Sequence, residues 1–325
     1  MNPLVSICCT TYNHQDYIKD TLDGFLMQKV DFPIEILIHD DASTDDTVSI
    51  IKEYETEHPH LLRLILQDKN QYSHGIDVWN TYLLPAAKGK YLALCEGDDF
   101  WTDPLKLKKQ ASFMEKNHDY GFIHTDINQL IQNTGVIIKK TNKALNNNCT
   151  SLSRRDLFYM LSDASYKIRT ATVMFRKNLL YLIPKDDKKF LMGDTPLWFI
   201  LSQLTKFKYL DDVTAVYRVL PESASHSLNK KKHSRFKYEM AIMRLYYCKK
   251  YGYEPNKNLI NRYNHALIKY RLTLGQNSTD DLISPTWYQI LKSKVYSDRF
   301  FSLLESFERK LEKYRLHYLH SFGTR

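Results

Sequence analysis

Over the first 225 residues, short apolar runs alternate with stretches whose apolar positions recur at helical spacing. That is the order of strands and crossover helices in a doubly wound, mainly parallel α/β sheet. The runs predict strands over 4–10, 34–40, 62–67, 91–95 and 121–128. Between them, Tyr17, Ile18, Leu22, Phe25 and Leu26 mark a helix over 16–28, and Val48, Ile50, Ile51 and Tyr54 mark another behind the Asp/Ser/Thr-rich cap at 41–47. Residues 75–87 supply a third crossover, and 105–117 reads as a helix. From 131 to 150 the pattern dissolves into Asn, Lys and Thr, including Asn146-Asn147-Asn148, and predicts an excursion outside the core. Patterning returns at 156–161, at 170–175, in a helix over 196–204 and in late strands over 207–210 and 213–219.

After residue 226 the character changes. A basic run, Lys230-Lys231-Lys232, opens long helical patterns in which Tyr246, Tyr247, Leu259, Tyr263, Leu267, Tyr270, Phe300, Phe301, Leu304, Phe307, Leu311 and Tyr314 recur among lysines and arginines. The division falls between a catalytic module, 1–225, and a basic, aromatic-rich helical region, 226–325. Charge sharpens it: the net +9 resolves into +12 for residues 226–325 (20 Lys+Arg against 8 Asp+Glu) and −3 for residues 1–225 (26 against 29). The tail reads either as a helical appendage packed through its apolar face or as a surface helix that docks on an anionic membrane surface. Five cysteines without a Cys-x-x-Cys spacing, three of them in predicted strands, fit small core residues in a reducing compartment. With no signal peptide and no long uncharged apolar stretch, the expectation is a cytoplasmic protein without a membrane span, peripheral at most.

The candidate chemistry lies at the strand ends. The first strand ends in Thr10-Thr11-Tyr12-Asn13, the second in Asp40-Asp41-Ala42-Ser43-Thr44-Asp45, and the fourth in Glu96-Gly97-Asp98-Asp99. Open α/β sheets bind ligands at the carboxyl ends of their strands. An aromatic ring that can stack on a base, a carboxylate that can accept from a base N–H, and a carboxylate cluster that repels itself unless a cation intervenes would together hold a nucleoside diphosphate and a metal. A turn with a helix cap at Thr102-Asp103-Pro104 is the structural alternative for the last cluster.

These three motifs, in this order and spacing, resemble family-2 glycosyltransferases of the GT-A fold over roughly residues 3–225. The resemblance implies an inverting transferase that moves a sugar from a nucleotide-sugar donor, usually a UDP-sugar, with a divalent metal, manganese or magnesium. The acceptor it implies is a glycan or lipid-linked acceptor in surface polysaccharide synthesis. By the same resemblance Thr10 and Tyr12 match the first nucleotide contacts, and Asp41 matches the carboxylate that reads the uracil edge. Asp98 and Asp99 match the metal-binding acidic motif; either Glu96 or Asp98 takes the place of its first acidic member, and Asp99 is the principal metal ligand. Asp194, after Gly193, resembles the general base; read from the residues alone, an N-cap explains it as well. His226 lies where relatives carry a histidine that completes the metal or diphosphate site. Lys69 and Asn70 are further candidates for donor contact, whereas His39 and His124, in or beside strands, read as structural.

Other classes fit less well. No nucleic-acid motif accompanies the basic region, and the front carboxylates oppose a polyanion. A sugar-nucleotidyltransferase would need a Gly-rich phosphate loop near the first strand, where Thr-Thr-Tyr-Asn stands instead. A sugar-nucleotide-binding protein without catalysis would not need both Asp99 and Asp194.

Overall fold

A computed structural model describes residues 2–142, 152–184, 190–221, 223 and 227–275. The chain divides into two compact units, one comprising 1–158, 165–189 and 193–220, the other 159–164, 190–192 and 221–325.

The first unit is built on a nine-stranded sheet. Strands β1 (Val5–Thr11), β2 (Ile34–Asp40), β3 (Leu62–Leu66) and β4 (Tyr91–Glu96) form its parallel half in the order β3-β2-β1-β4. Helices α1 (Ile18–Leu26), α2 (Thr47–Glu57) and α3 (Lys106–Lys116) flank the sheet and leave β1, β2 and β4 largely buried on both faces, which is why they read as apolar runs, whereas β3, at the end of the strand order, keeps Arg63 and Leu66 exposed. Val5, Ile7, Ile36, Ile38, Tyr91 and Ala93 meet Leu22, Phe25 and Ile51 in the core.

The other half is mixed. Beyond β4 come β8 (Met174–Arg176), β6 (Tyr120–Ile131), β9 (Lys206–Val219) and β5 (Phe100–Trp101), with β7 (Val136–Ile138) off the path against β6. Only β6 and β9 pair in parallel here. The two late strands of the sequence pattern are one strand: the β6–β9 register passes from Thr125↔Leu210 to Asp126↔Val213, so Asp211 and Asp212 bulge out of a continuous ladder. Asp212 then meets Lys109 of α3 at 2.7 Å. The excursion expected from residue 131 is in part a hairpin, because Thr134 and Gly135 turn the chain back, with Gly135 at φ +68°, and β7 follows with all three apolar side chains exposed. Residues 143–150 lie outside the described residues. The crossover at 75–87 is built of a short π-helical turn, Trp79–Leu83, and a last turn, Leu84–Ala86. Helices α4 (Arg154–Ser162) and α5 (Asp194–Leu204) complete the expected later elements.

In the second unit, α6 (Lys230–Tyr251) and α7 (Lys257–Thr273) form a helical hairpin. Asn229 and Asn256 cap the two N-termini through their side-chain oxygens, and Gly252, at φ +68°, ends α6. Tyr238, Ile242 and Leu245 are buried with Leu259, Tyr263 and Leu267, and Tyr238 stacks on Tyr270. For these aromatic positions helical spacing means packing within the unit. The aromatic positions from Phe300 onward lie outside the described residues. No described helix is long and apolar enough to cross a membrane.

Candidate active site

Strand order decides where the motifs meet. β1 lies between β2 and β4, and the chain leaves its two neighbours in opposite directions, so the carboxyl ends of these three strands flank a switch point. The register sets Thr10 beside Glu96 and Thr11 beside Asp40. All three motifs therefore share one sheet edge.

The side of the first two motifs is braced by hydrogen bonds. Asn13, at φ +54°, accepts from the Thr44 backbone N–H through Oδ1 (2.8 Å), and its own N–H donates to Ser43 Oγ (2.9 Å). The His14 N–H donates to Thr47 Oγ1 (2.8 Å) and the Gln15 N–H to Asp45 (3.1 Å). This clamp leaves the Tyr12 ring 43% exposed, free to stack. Asp40 accepts from the Ser43 N–H and hydroxyl. The buried Asp41 carboxylate accepts from the backbone N–H groups of Gln71 (2.7 Å) and Tyr72 (3.0 Å). It thus anchors the loop after β3, although each oxygen keeps a lone pair for a further donor. Lys69 and Asn70 lie in that loop; Asn70 Oδ1 accepts from the Ser73 N–H and shapes the turn.

The third motif turns sharply. The Gly97 N–H donates to Thr10 O, the Asp99 N–H to Glu96 O, and Thr21 Oγ1 donates to the carbonyls of both Gly97 and Asp99. A Cβ on Gly97 would stand 2.8 Å from Thr11 Cβ and 2.9 Å from His14 Nδ1, so only glycine lets the two turns pack. Asp99 is buried and its Oδ1 accepts from the Arg218 N–H (2.9 Å). The guanidinium of Arg218 turns away, to Asp20 and Gln132, over the rings of Phe100 and Tyr17.

Unlike the braced side, this cluster is under electrostatic load. Burial, then Asp98 and Asp194, push the Glu96 carboxyl up to about 8. Burial, then Asp98 and Glu96, hold Asp99 well above the ordinary carboxylate range. The influence of Asp194 on Glu96 shows that the fold brings the α5 terminus to the end of β4. Asp194 is the first residue of α5, after Gly193 at the N-cap position; its Oδ1 accepts from the Thr195 N–H (2.5 Å), and its Oδ2 accepts from the Thr170 hydroxyl at 3.4 Å. His226 lies outside the described residues. Among the described residues no three His, Cys, Asp or Glu side chains form a ready-made metal cluster.

His39 and His124 are buried in the sheet as expected. His39 stacks on Tyr82, and His124 pairs with the Tyr166 hydroxyl (2.7 Å) while burial pushes its imidazole down to about 3. Two arginines escape the sequence reading. Arg218 supplies the backbone donor to Asp99, and Arg169, stacked on Tyr217, acts electrostatically on Glu96 and Asp99. Arg169 borders the predicted run 170–175 and Arg218 lies within the predicted strand 213–219, positions that give no sign of what either faces.

Known proteins agree with this geometry. The family model "Glycosyl transferase family 2" matches residues 6–176, more than half of the chain. The uncharacterized protein Rv1520 of Mycobacterium tuberculosis is 49% identical over 113 residues, 35% of this chain and 32% of its own length. The Escherichia coli UDP-Glc:alpha-D-GlcNAc-diphosphoundecaprenol beta-1,3-glucosyltransferase WfaP is 38% identical over 112 residues, 34% of this chain and 41% of its own. The chain thus spans about a third to two fifths of the length of these curated relatives. In the solved structures, Staphylococcus aureus TarS 1–349 in complex with UDP-GlcNAc aligns over 82% of this chain and 72% of its own with a TM-score of 0.57 at 20% identity, a likeness of fold. The α/β sheet, the strand-end motifs and the family match together place this chain in glycosyltransferase family 2, with the GT-A fold.

Proposed function

We propose that this protein is an inverting glycosyltransferase that moves a sugar from a UDP-sugar to a hydroxyl of a glycan or lipid-linked acceptor during polysaccharide synthesis. The observation that carries the reading is the convergence of Tyr12, Asp41, Glu96, Asp98, Asp99 and Asp194 on one sheet edge, where burial and then neighbouring carboxylates raise the proton affinity of Glu96 and Asp99. The name of WfaP supports it with a UDP-sugar donor, a diphosphoundecaprenol-linked acceptor and a β-linkage.

In this reading Tyr12 stacks on the uracil, Asp41 accepts from its N–H while still anchoring the loop after β3, and Thr10 and Asp98 contact the nucleotide. Glu96, Asp99 and His226 would hold a divalent cation, manganese or magnesium. The donor set fits one, because hard oxygen ligands pressed together in a partly buried site are relieved by a hard cation. When bound, such an ion supplies charge neutralisation at the departing diphosphate. Asp194 accepts the proton of the acceptor hydroxyl as its oxygen attacks the anomeric carbon. The bond from that carbon to the diphosphate oxygen breaks, and its electron pair leaves with UDP. The basic region 226–325, at +12, brings the enzyme to the anionic membrane surface where a lipid-linked acceptor lies.

The test is the anomeric proton spectrum of the product from an α-linked UDP-sugar and a GlcNAc-diphosphoundecaprenol-type acceptor. A β-linked product that disappears with Asp194→Asn supports inversion with Asp194 as base. An α-linked product, or full turnover by Asp194→Asn, contradicts it.

A further inference from the structure

Among the described residues, Arg169 is a cation that acts on the carboxylate cluster and to which the reading above gives no task. It ends an extended segment just before the 3-10 turn Thr170–Thr172. Its guanidinium carbon lies 4.2 Å from the centroid of the Tyr217 ring, and Tyr217 is the neighbour in β9 of Arg218, whose N–H holds Asp99. Thr170, the next residue, faces Asp194. Arg169 is therefore tied into the site from two sides, through Tyr217 and through the segment that meets Asp194.

Its partners are what is unusual. Glu96 and Asp99 both feel its charge, yet Arg169 closes no ion pair with a described carboxylate. Its Nε is buried with no hydrogen-bond partner. Arg218, beside Tyr217 in β9, shows the alternative, for its guanidinium is engaged by Asp20 and Gln132. The Tyr217 ring thus holds the guanidinium of Arg169 while its Nε keeps no acceptor. A buried, unsatisfied donor costs free energy until something accepts from it.

We propose that Arg169 binds the diphosphate of the nucleotide-sugar donor and steadies it as the leaving group. This rests on the reading of the site as a donor site. A planar guanidinium fork matches two phosphate oxygens, and the end of β4 that Arg169 faces is where the phosphates lie in that reading. An acidic group on the acceptor is the other anion that could use it, and the acceptor arm of the test separates the two. Because the same segment carries Arg169 and, through Thr170, meets Asp194, it sets the leaving group and the base in a common frame.

The experiment titrates the full chain with UDP and with UMP, in the presence of Mn2+, for the unaltered protein, Arg169→Gln and Arg169→Lys, with a melting curve for each, and measures the KM of a GlcNAc-diphosphoundecaprenol-type acceptor in the transfer assay for the same three proteins. Arg169→Gln is expected to weaken UDP about tenfold, the order of one lost charge-assisted contact, and UMP distinctly less. Arg169→Lys, which keeps charge but not the fork, should fall between, and it decides the matter if Arg169→Gln does not fold. UDP affinity unchanged in both variants, equal losses for UDP and UMP, or an effect confined to the KM of the acceptor would each overturn the proposal. If the unaltered, folded protein binds neither nucleotide, the donor reading itself fails.

Discussion

Two acidic clusters lie at the ends of neighbouring strands and resolve their charge in opposite ways. Asp40 and Asp41, after β2, are satisfied within the protein: Ser43 donates to one, and the Gln71 and Tyr72 N–H groups donate to the other. In the cluster after β4, burial and then the neighbouring carboxylates raise the proton affinity of Glu96 and Asp99, and Asp99 has one backbone donor, the Arg218 N–H. The first cluster fixes the shape of the turn after β2 and of the loop after β3 before any ligand arrives. The second stores repulsion that a cation would relieve. Carboxylate count alone does not tell a brace from a ligand site; the donors around it do.

The largest way to break the comparison is Asp194→Asn. Losing the base should lower kcat on the order of 10³-fold while UDP binding stays within about twofold, which single-turnover assays and calorimetry read separately. A parallel loss of UDP binding would move Asp194 to the donor side. Next is Asp41→Ala, which strands two backbone donors and should cost about 2–4 kcal/mol in denaturant unfolding, with faster amide exchange at 70–75. An unchanged midpoint would remove the brace from the argument.

A pH profile sharpens the contrast only after the contribution of His124 is separated. Burial depresses the folded value of His124 to about 3 against an ordinary 6.5, so the unfolded state takes the proton first. The stability it contributes is complete above about pH 6.5 and lost as pH falls towards 3, at about 1.4 kcal/mol per unit. His124→Asn should flatten that acid limb in thermal unfolding at a series of pH values; the same slope in the variant would place its origin elsewhere. The smallest effect expected is opposite in sign to that at Asp41. Asp98→Asn, by relieving Glu96 and Asp99, should raise metal-free stability by less than about 1 kcal/mol. A clear destabilisation would mean that the second cluster, too, is a brace.

Sequence pattern located these clusters well and explained them only in part. β2 has the predicted bounds 34–40, and β1 is displaced by one residue, because unbroken apolar runs between polar caps reflect burial on both faces. The strand-end motifs followed directly. The mixed half did not: the pairing of β6 with β8 and β9, the joining of 207–210 with 213–219 across Asp211 and Asp212, and the β7 hairpin depend on partners distant in the chain. The same holds within the site. That Asp41 accepts from a loop thirty residues on, that Asp194 reaches Glu96 and that Arg169 stacks on Tyr217 are tertiary facts without local signature. The apolar spacing of 230–273 predicted helices, and the buried Tyr238 and Tyr263 give it a packing role.

The most direct test is calorimetric titration of the folded protein with UDP, with and without Mn2+, beside Asp99→Ala. If the cluster after β4 is a cation and diphosphate site, UDP binds with Mn2+, binds at least about tenfold more weakly without it, and loses that Mn2+ dependence in Asp99→Ala. UDP affinity indifferent to Mn2+ and to Asp99, or no binding at all, would contradict that assignment.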